Sequence, residues 1–161
     1  RNPGIHISSH RFPMQNIPLE EIIEDIIRQD PRYSRGAYDF VRESLDHTIK
    51  VFKKTATGKE RHVTGQELLE GLRRYALEQF GPLACTVLES WGLRSCEDVG
   101  EVVFNMVSRS VLGKTEQDKP DDFKNGYNFE EAFRRPFEPA HAPATPSRSI
   151  RPAKSGSPQT P

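Results

Sequence analysis

The chain has 161 residues, a length that favours one domain. Lys plus Arg and Asp plus Glu number 23 each, giving a formal charge of zero at pH 7, which removes the usual basis for a dedicated nucleic-acid or membrane-surface protein. Only 34% of the residues are apolar, but the shortage lies at the two ends, and no apolar run nears the roughly 18 residues of a membrane span.

No basic start followed by an apolar leader is present, so the composition predicts a soluble, cytoplasmic protein. Residues 1–13 are polar and irregular and are expected to be a disordered extension, with Met14 as the native start. His6 and His10 lack further ligands in this arm and read as solvated side chains rather than a metal pair. Pro18 opens a short helix with Leu19, Ile22, Ile23, Ile26 and Ile27 on one face and Glu20, Glu21, Glu24 and Asp25 on the other. Asp30-Pro31 ends it. A longer helix follows, carrying Tyr38, Val41, Leu45, Ile49 and Phe52 at helical spacing. The stretch from Lys53 to His62 is polar and mostly basic, with Thr57-Gly58 as turn chemistry, and reads as a loop.

The densest patterning lies between Val63 and Gly113. Thr64 and Glu67 form a capping box, flanked by Val63 and Leu68 as a hydrophobic staple. Leu68, Leu72, Tyr75, Ala76 and Phe80 then make one buried stripe. Gly81 supplies a left-handed stop, and Pro82 suits the first position of the next helix. Leu83, Val87, Leu88 and Trp91 form the apolar face of that helix, with Gly92 at its end; Trp91, the sole Trp, is expected to fill the centre of the core. Ser95 starts a third helix, with Glu97 and Asp98 in its positive first turn. Its inner face is Val99, Val102, Val103, Met106 and Val107, and Gly113 lies just past its end.

Beyond Gly113 the chain turns acidic and then aromatic, with Phe123, Tyr127, Phe129, Phe133 and Phe137 recurring at short intervals. Asn128 can cap a final short helix, with Glu131 three positions on. Residues 138–161 hold no aromatic side chain and are dominated by Pro, Ser, Thr and Ala, with Arg148, Arg151 and Lys154 outweighing Glu138. That composition cannot offset chain entropy by burial, so a disordered, mildly basic tail is expected.

Four functional patterns can be drawn on these residues. A helix-turn-helix can be drawn over Leu68 to Trp91, but Leu83 to Trp91 offers Glu89 and no basic residue. A recognition helix needs Arg, Lys, Asn or Gln at base edges, so DNA reading is not expected. Basic residues gather instead at Arg32, Arg35, Lys53, Lys54, Lys59 and Arg61. This modest face could contact RNA or a ribosome by charge alone; the plainer alternative is a solvated surface balanced by Glu20 to Asp25. A calcium loop tried on Asp121 to Ala132 fails at its third and twelfth positions, Phe123 and Ala132, leaving Asp122, Asn125 and Gly126 as turn residues. His47 with Glu43 one turn before it is an ordinary helix-surface pair.

Cys85 and Cys96 have neither disulfide-framework nor metal spacing and read as buried free thiols. Cys96 lies near a helix N-terminus, which would lower its pKa, and His62 paired with Cys85 or Cys96 offers the elements of a nucleophilic enzyme. No third orienting group is indicated, and no cofactor or metal is implied. Phe123, Tyr127, Phe129 and Phe133 have two readings, a core wrap or a partly exposed strip that anchors a protein partner.

The strings DPRYSRGAYDFV, HVTGQELLEG, FGPLACTVLESWGL and NGYNFEEAF occur in that order and resemble a small bacterial family known chiefly from Planctomycetes and Verrucomicrobia. The resemblance spans residues 14–137 and implies one cytoplasmic domain. The family is uncharacterised, so it implies no activity, cofactor or catalytic residue. The predicted architecture is all-α: a compact bundle of about five helices over residues 14–137 with a short C-terminal helix, followed by the Pro-rich tail. The expected role is a non-enzymatic interaction or adaptor module with an unidentified protein partner. RNA or ribosome association stands as the alternative, and an enzyme using Cys96 or His62 as a third.

Overall fold

The computed structural model describes residues 17–52, 62–115 and 117–139, together with the backbone of residues 6–7. The fold is all-α, with helices α1 (Leu19–Gln29), α2 (Arg35–Phe52), α3 (Gly65–Phe80), α4 (Ala84–Ser90) and α5 (Cys96–Ser108). Short helical turns at Pro120–Phe123, Glu130–Arg134 and Arg135–Phe137 follow them. No helix among the described residues is long and apolar enough to cross a membrane.

Local chemistry sets most of these boundaries. Thr64 Oγ1 accepts from Glu67 N (3.1 Å) while Glu67 Oε1 accepts from Thr64 N (3.3 Å), so two orphan donors at the start of α3 are satisfied reciprocally. Val63 and Leu68, the staple pair, are fully buried. Ser95 caps α5 by accepting from Asp98 N at 3.3 Å, and Asn128 Oδ1 accepts from Glu131 N at the start of the last helical segment.

Four expectations need correction. The Gly81–Leu83 segment is a tight helical turn, α4 begins only at Ala84, and Leu83 points out at 64% exposure instead of joining the apolar face. Helix α5 stops at Ser108, five residues before Gly113, because Ser110 takes φ 60 and lets Val111 N reach back to Met106 O at 2.9 Å. Gly113 instead belongs to a short strand β2 (Leu112–Gly113), paired antiparallel with β1 (His6–Ile7). The arm expected to be disordered thus contributes one strand. Trp91 is half-buried rather than central: it follows the last residue of α4, and its indole lies over Gly36, where a Cβ would come within 2.2 Å of Nε1.

The enclosed positions are mainly aliphatic, including Leu45, Leu68, Leu72, Leu88, Val102, Val103 and Met106. Helices α2 and α3 are the most extensively packed pair. A Cβ on Gly71 would lie 1.8 Å from Thr48 Oγ1, and that hydroxyl turns back to donate to Ser44 O at 2.6 Å. The two helices therefore meet backbone against side chain, an approach only glycine permits. A polar clasp holds the α1–α2 turn onto α5. Asp30 accepts from Arg32 Nε (2.8 Å), Arg32 Nη2 (2.7 Å) and Asn105 Nδ2 (3.0 Å), and Tyr33 Oη donates to Asp98 Oδ1 at 2.7 Å. Arg32 beside Asp30 holds that carboxyl well below the usual range.

Candidate interaction face

The C-terminal aromatic strip is core. Phe123 (1% exposed), Phe129 (5%) and Phe133 (0%) are buried, and Tyr127 is half-buried with its hydroxyl donating to Leu69 O at 2.7 Å. Phe133 meets Phe129 and Tyr127 edge-on, at 5.1 and 5.9 Å between ring centroids. Of the two readings of this strip, the wrap over the helices is the one observed, and its buried rings offer no surface to a partner. Only Phe137, at 45% exposure, faces out. The neighbouring turn behaves as its residues dictate: Asn125 takes φ 57, and Asp122 Oδ2 accepts from Lys119 N at 2.9 Å.

Cys96 lies beneath this strip rather than in an activated site. Its thiol donates to Tyr127 O at 3.3 Å, and burial pushes its pKa up to about 11, overturning the expected lowering by the helix N-terminus. Burial of Cys96, only 4% exposed, outweighs a partial helix-end charge, and the neighbouring Glu97 carboxylate acts in the same direction as burial. A shallow recess of about 330 Å³ opens over this helix start, lined by Arg94, Ser95, Cys96, Asn125, Tyr127 and Asn128. His62 is half-buried two residues before Thr64. Cys85 is also buried and free; its sulfur lies within 4.8 Å of carboxylate oxygens of Glu89 and Glu130. Arg134 pairs with both carboxylates, at 3.2 Å from Glu89, so the positive charge this group needs is already supplied by the chain.

Of the basic candidates, Lys53, Lys54, Lys59 and Arg61 lie outside the described residues. Arg32 is bound to Asp30 and Glu101, and Arg35 reaches Glu20 (3.1 Å), Asp39 (3.7 Å) and Glu24 (4.0 Å). Both arginines are therefore balanced by acidic neighbours on the same surface.

A different set of rings comes to the surface. Phe40 of α2, only 2% exposed, forms a floor on which Tyr75 stacks at 5.3 Å, with Phe80 and Trp91 each at 5.5 Å. Phe80 and Trp91 meet edge to face at 5.8 Å, and His47 lies 4.9 Å from Tyr75. His47, Tyr75, Phe80 and Trp91 are all half-buried, and they form an aromatic row over α2, α3 and the end of α4 that is joined through Phe40. The Trp91 indole N–H is not buried and has no hydrogen-bond partner among the described residues. Exposed Leu83 lies one turn beyond Phe80. At the other end, Arg74 sits 5.1 Å over the ring of exposed Phe52.

The row carries a negative edge. Tyr75 Oη donates to Glu43 Oε2 at 3.3 Å, and the phenol pKa is raised, first by burial and then by the charges of Glu43 and Glu78. Periodicity assigned Tyr75, Phe80 and Trp91 to apolar faces correctly but could not reveal that they stay partly exposed. One signal was available: Phe80 and Trp91 each directly precede a chain-turning glycine, Gly81 and Gly92, where a helix face runs out of neighbours. A scan against family models finds no match, and searches of curated proteins and of solved structures find none either.

Proposed function

We propose that the chain is a non-enzymatic protein-interaction module whose recognition face is the aromatic row His47–Tyr75–Phe80–Trp91, acting in the cytoplasm. The observation that carries this reading is the combination of three half-buried rings on the Phe40 floor, His47 against Tyr75, and an indole donor with no hydrogen-bond partner among the described residues. Aromatic side chains with a free polar handle give large contact area at low entropic cost and are the groups most enriched at binding hot spots. The alternative of RNA or ribosome association draws less support, since Arg32 and Arg35 are each engaged by carboxylates. The third reading, an enzyme using Cys96, is weakened by the raised pKa of its thiol.

The test is capture of partners from native lysate on the immobilised full chain, with nuclease present, comparing wild type with Tyr75→Ala. Partners retained by wild type and depleted at least about ten-fold by the variant, the scale of a hot-spot loss, are the expected result, with a melting curve confirming that Tyr75→Ala is folded. Capture that is abolished by nuclease and indifferent to Tyr75 would overturn the reading in favour of a nucleic-acid surface.

A further inference from the structure

The chemistry of the row selects among the ways a protein segment can be held, an inference that rests on the row being a recognition face. Among the described residues this surface is built by helices α2 and α3 and the end of α4. Their backbones are bonded internally and give an extended partner no strand edge to add to. A helical partner would bring carbonyls already bonded within itself. It would leave unused the Trp91 indole N–H, which has no hydrogen-bond partner among the described residues. A polyproline II segment differs on this count. It has no internal hydrogen bonds, so its carbonyls can accept from such a donor, and its pyrrolidine rings pack on aromatic side chains.

Spacing and charge agree with that choice. Tyr75 and Phe80 both rest on Phe40, at 5.3 and 5.5 Å between ring centroids, and Phe80 meets Trp91 at 5.8 Å. Along α3, Tyr75 and Phe80 are separated by roughly 8 Å of helix rise. Residues i and i+3 of a polyproline II segment lie roughly 9 Å apart, so prolines at that spacing reach both rings. The charge at the Tyr75 end is negative: Glu43 accepts from Tyr75 Oη at 3.3 Å, and Glu78 acts on the same phenol. Both carboxylates are exposed, and neither makes an ion pair among the described residues. Their neighbours are already matched, with Glu20, Glu24 and Asp39 on Arg35 and Glu70 on Arg73 and Arg74.

We propose that the row takes a proline-rich, basic segment of a partner protein in the polyproline II conformation. Prolines three residues apart lie against Tyr75 and Phe80, a backbone carbonyl accepts from the Trp91 indole N–H, and an arginine or lysine meets Glu43 and Glu78. The rings supply affinity for proline-rich segments in general, and the two glutamates select those that carry a cation.

The probe is the synthetic peptide RPPAPPAPPR, blocked at both ends, with arginine at each end so that either chain direction is served. Trp91 is the sole Trp, so the ¹⁵N-labelled full chain gives one indole N–H resonance that reports on the row. The peptide should displace that resonance saturably, with a Kd of about 1 mM or tighter. EPPAPPAPPE should bind at least about ten-fold more weakly, because it sets like charges against Glu43 and Glu78. RAAAAAAAAR, which keeps the cations on a helix-forming sequence, should leave the resonance in place. Glu43→Gln with Glu78→Gln should weaken RPPAPPAPPR by about three- to ten-fold, the scale of two exposed ion pairs. Trp91→Phe keeps a ring and loses the donor; anisotropy of the fluorescein-labelled peptide should show a loss of about three- to ten-fold. Melting curves establish that both variants are folded. An indole resonance unmoved by millimolar RPPAPPAPPR overturns the proposal, as does equal binding of the acidic or the alanine peptide. So does an affinity unchanged by the paired glutamine substitutions. These failures leave the row's own standing to the partner-capture test. Capture that still depends on Tyr75 while the peptides fail means a partner of another chemistry, whereas capture indifferent to Tyr75 removes the recognition face.

Discussion

Two aromatic clusters of similar ring geometry sit in different places in this molecule. Phe123, Tyr127, Phe129 and Phe133 come from a segment with little regular structure that folds over the helices and seals itself, with Tyr127 bonded to Leu69 O and Cys96 bonded to Tyr127 O. Phe40, Tyr75 and Phe80 come from regular helices and Trp91 from the residue that closes α4, and only Phe40 is sealed. Ring spacings of about 5 to 6 Å occur in both, so contact geometry does not separate a core cluster from a surface one. What separates them is whether another element lies on top.

The comparison fails if truncation costs the same in both. Phe133→Ala should lose about 3–5 kcal/mol, as for a fully buried aromatic, while Tyr75→Ala should lose about 1–2 kcal/mol for half the burial; urea unfolding of the two variants decides it. The sealed cluster should also be sensitive to alkali. The Cys96 thiol titrates at about 11 in the fold against an ordinary value near 9. Its neutral form is the one the fold stabilises, so that contribution is fully present below about pH 9 and is lost as pH rises towards about 11. Up to about 2–3 kcal/mol is involved, and Cys96→Ala should flatten that part of a stability–pH profile. On the open side, Gly36→Ala places a methyl against the Trp91 indole. It should cost about 1–3 kcal/mol as an overpacking substitution and shift Trp91 emission to the red, whereas a change in stability without a change in emission would mean the row is not seated on Gly36. Leu83→Ser, at a 64% exposed position, should change stability by no more than about 0.5 kcal/mol yet reduce partner capture if the face extends past Phe80.

The parts of the fold that were legible in the sequence are those fixed by local bonds. The Thr64–Glu67 box and the Ser95 and Asn128 caps are satisfied within three residues of chain, and each appears in the structure as read. The end of α5 was misplaced because a serine, Ser110, takes the left-handed turn that Gly113 was expected to make. Trp91 was misplaced because residue type alone favours burial of tryptophan, whereas its actual setting depends on Gly36, far away in sequence. Cys96 was misread electrostatically because the covering Tyr127 segment is distant in the chain. The aromatic row was invisible for the same reason: helical spacing says which side chains share a face, and only tertiary structure says what that face meets.

The close approach of Gly71 to Thr48 has a kinetic consequence. It ties α2 and α3 together one helical turn from Tyr75 on α3, so the row is presented by a closely packed helix pair. Association on such a preformed face proceeds at an ordinary rate of ~10⁶ M⁻¹ s⁻¹.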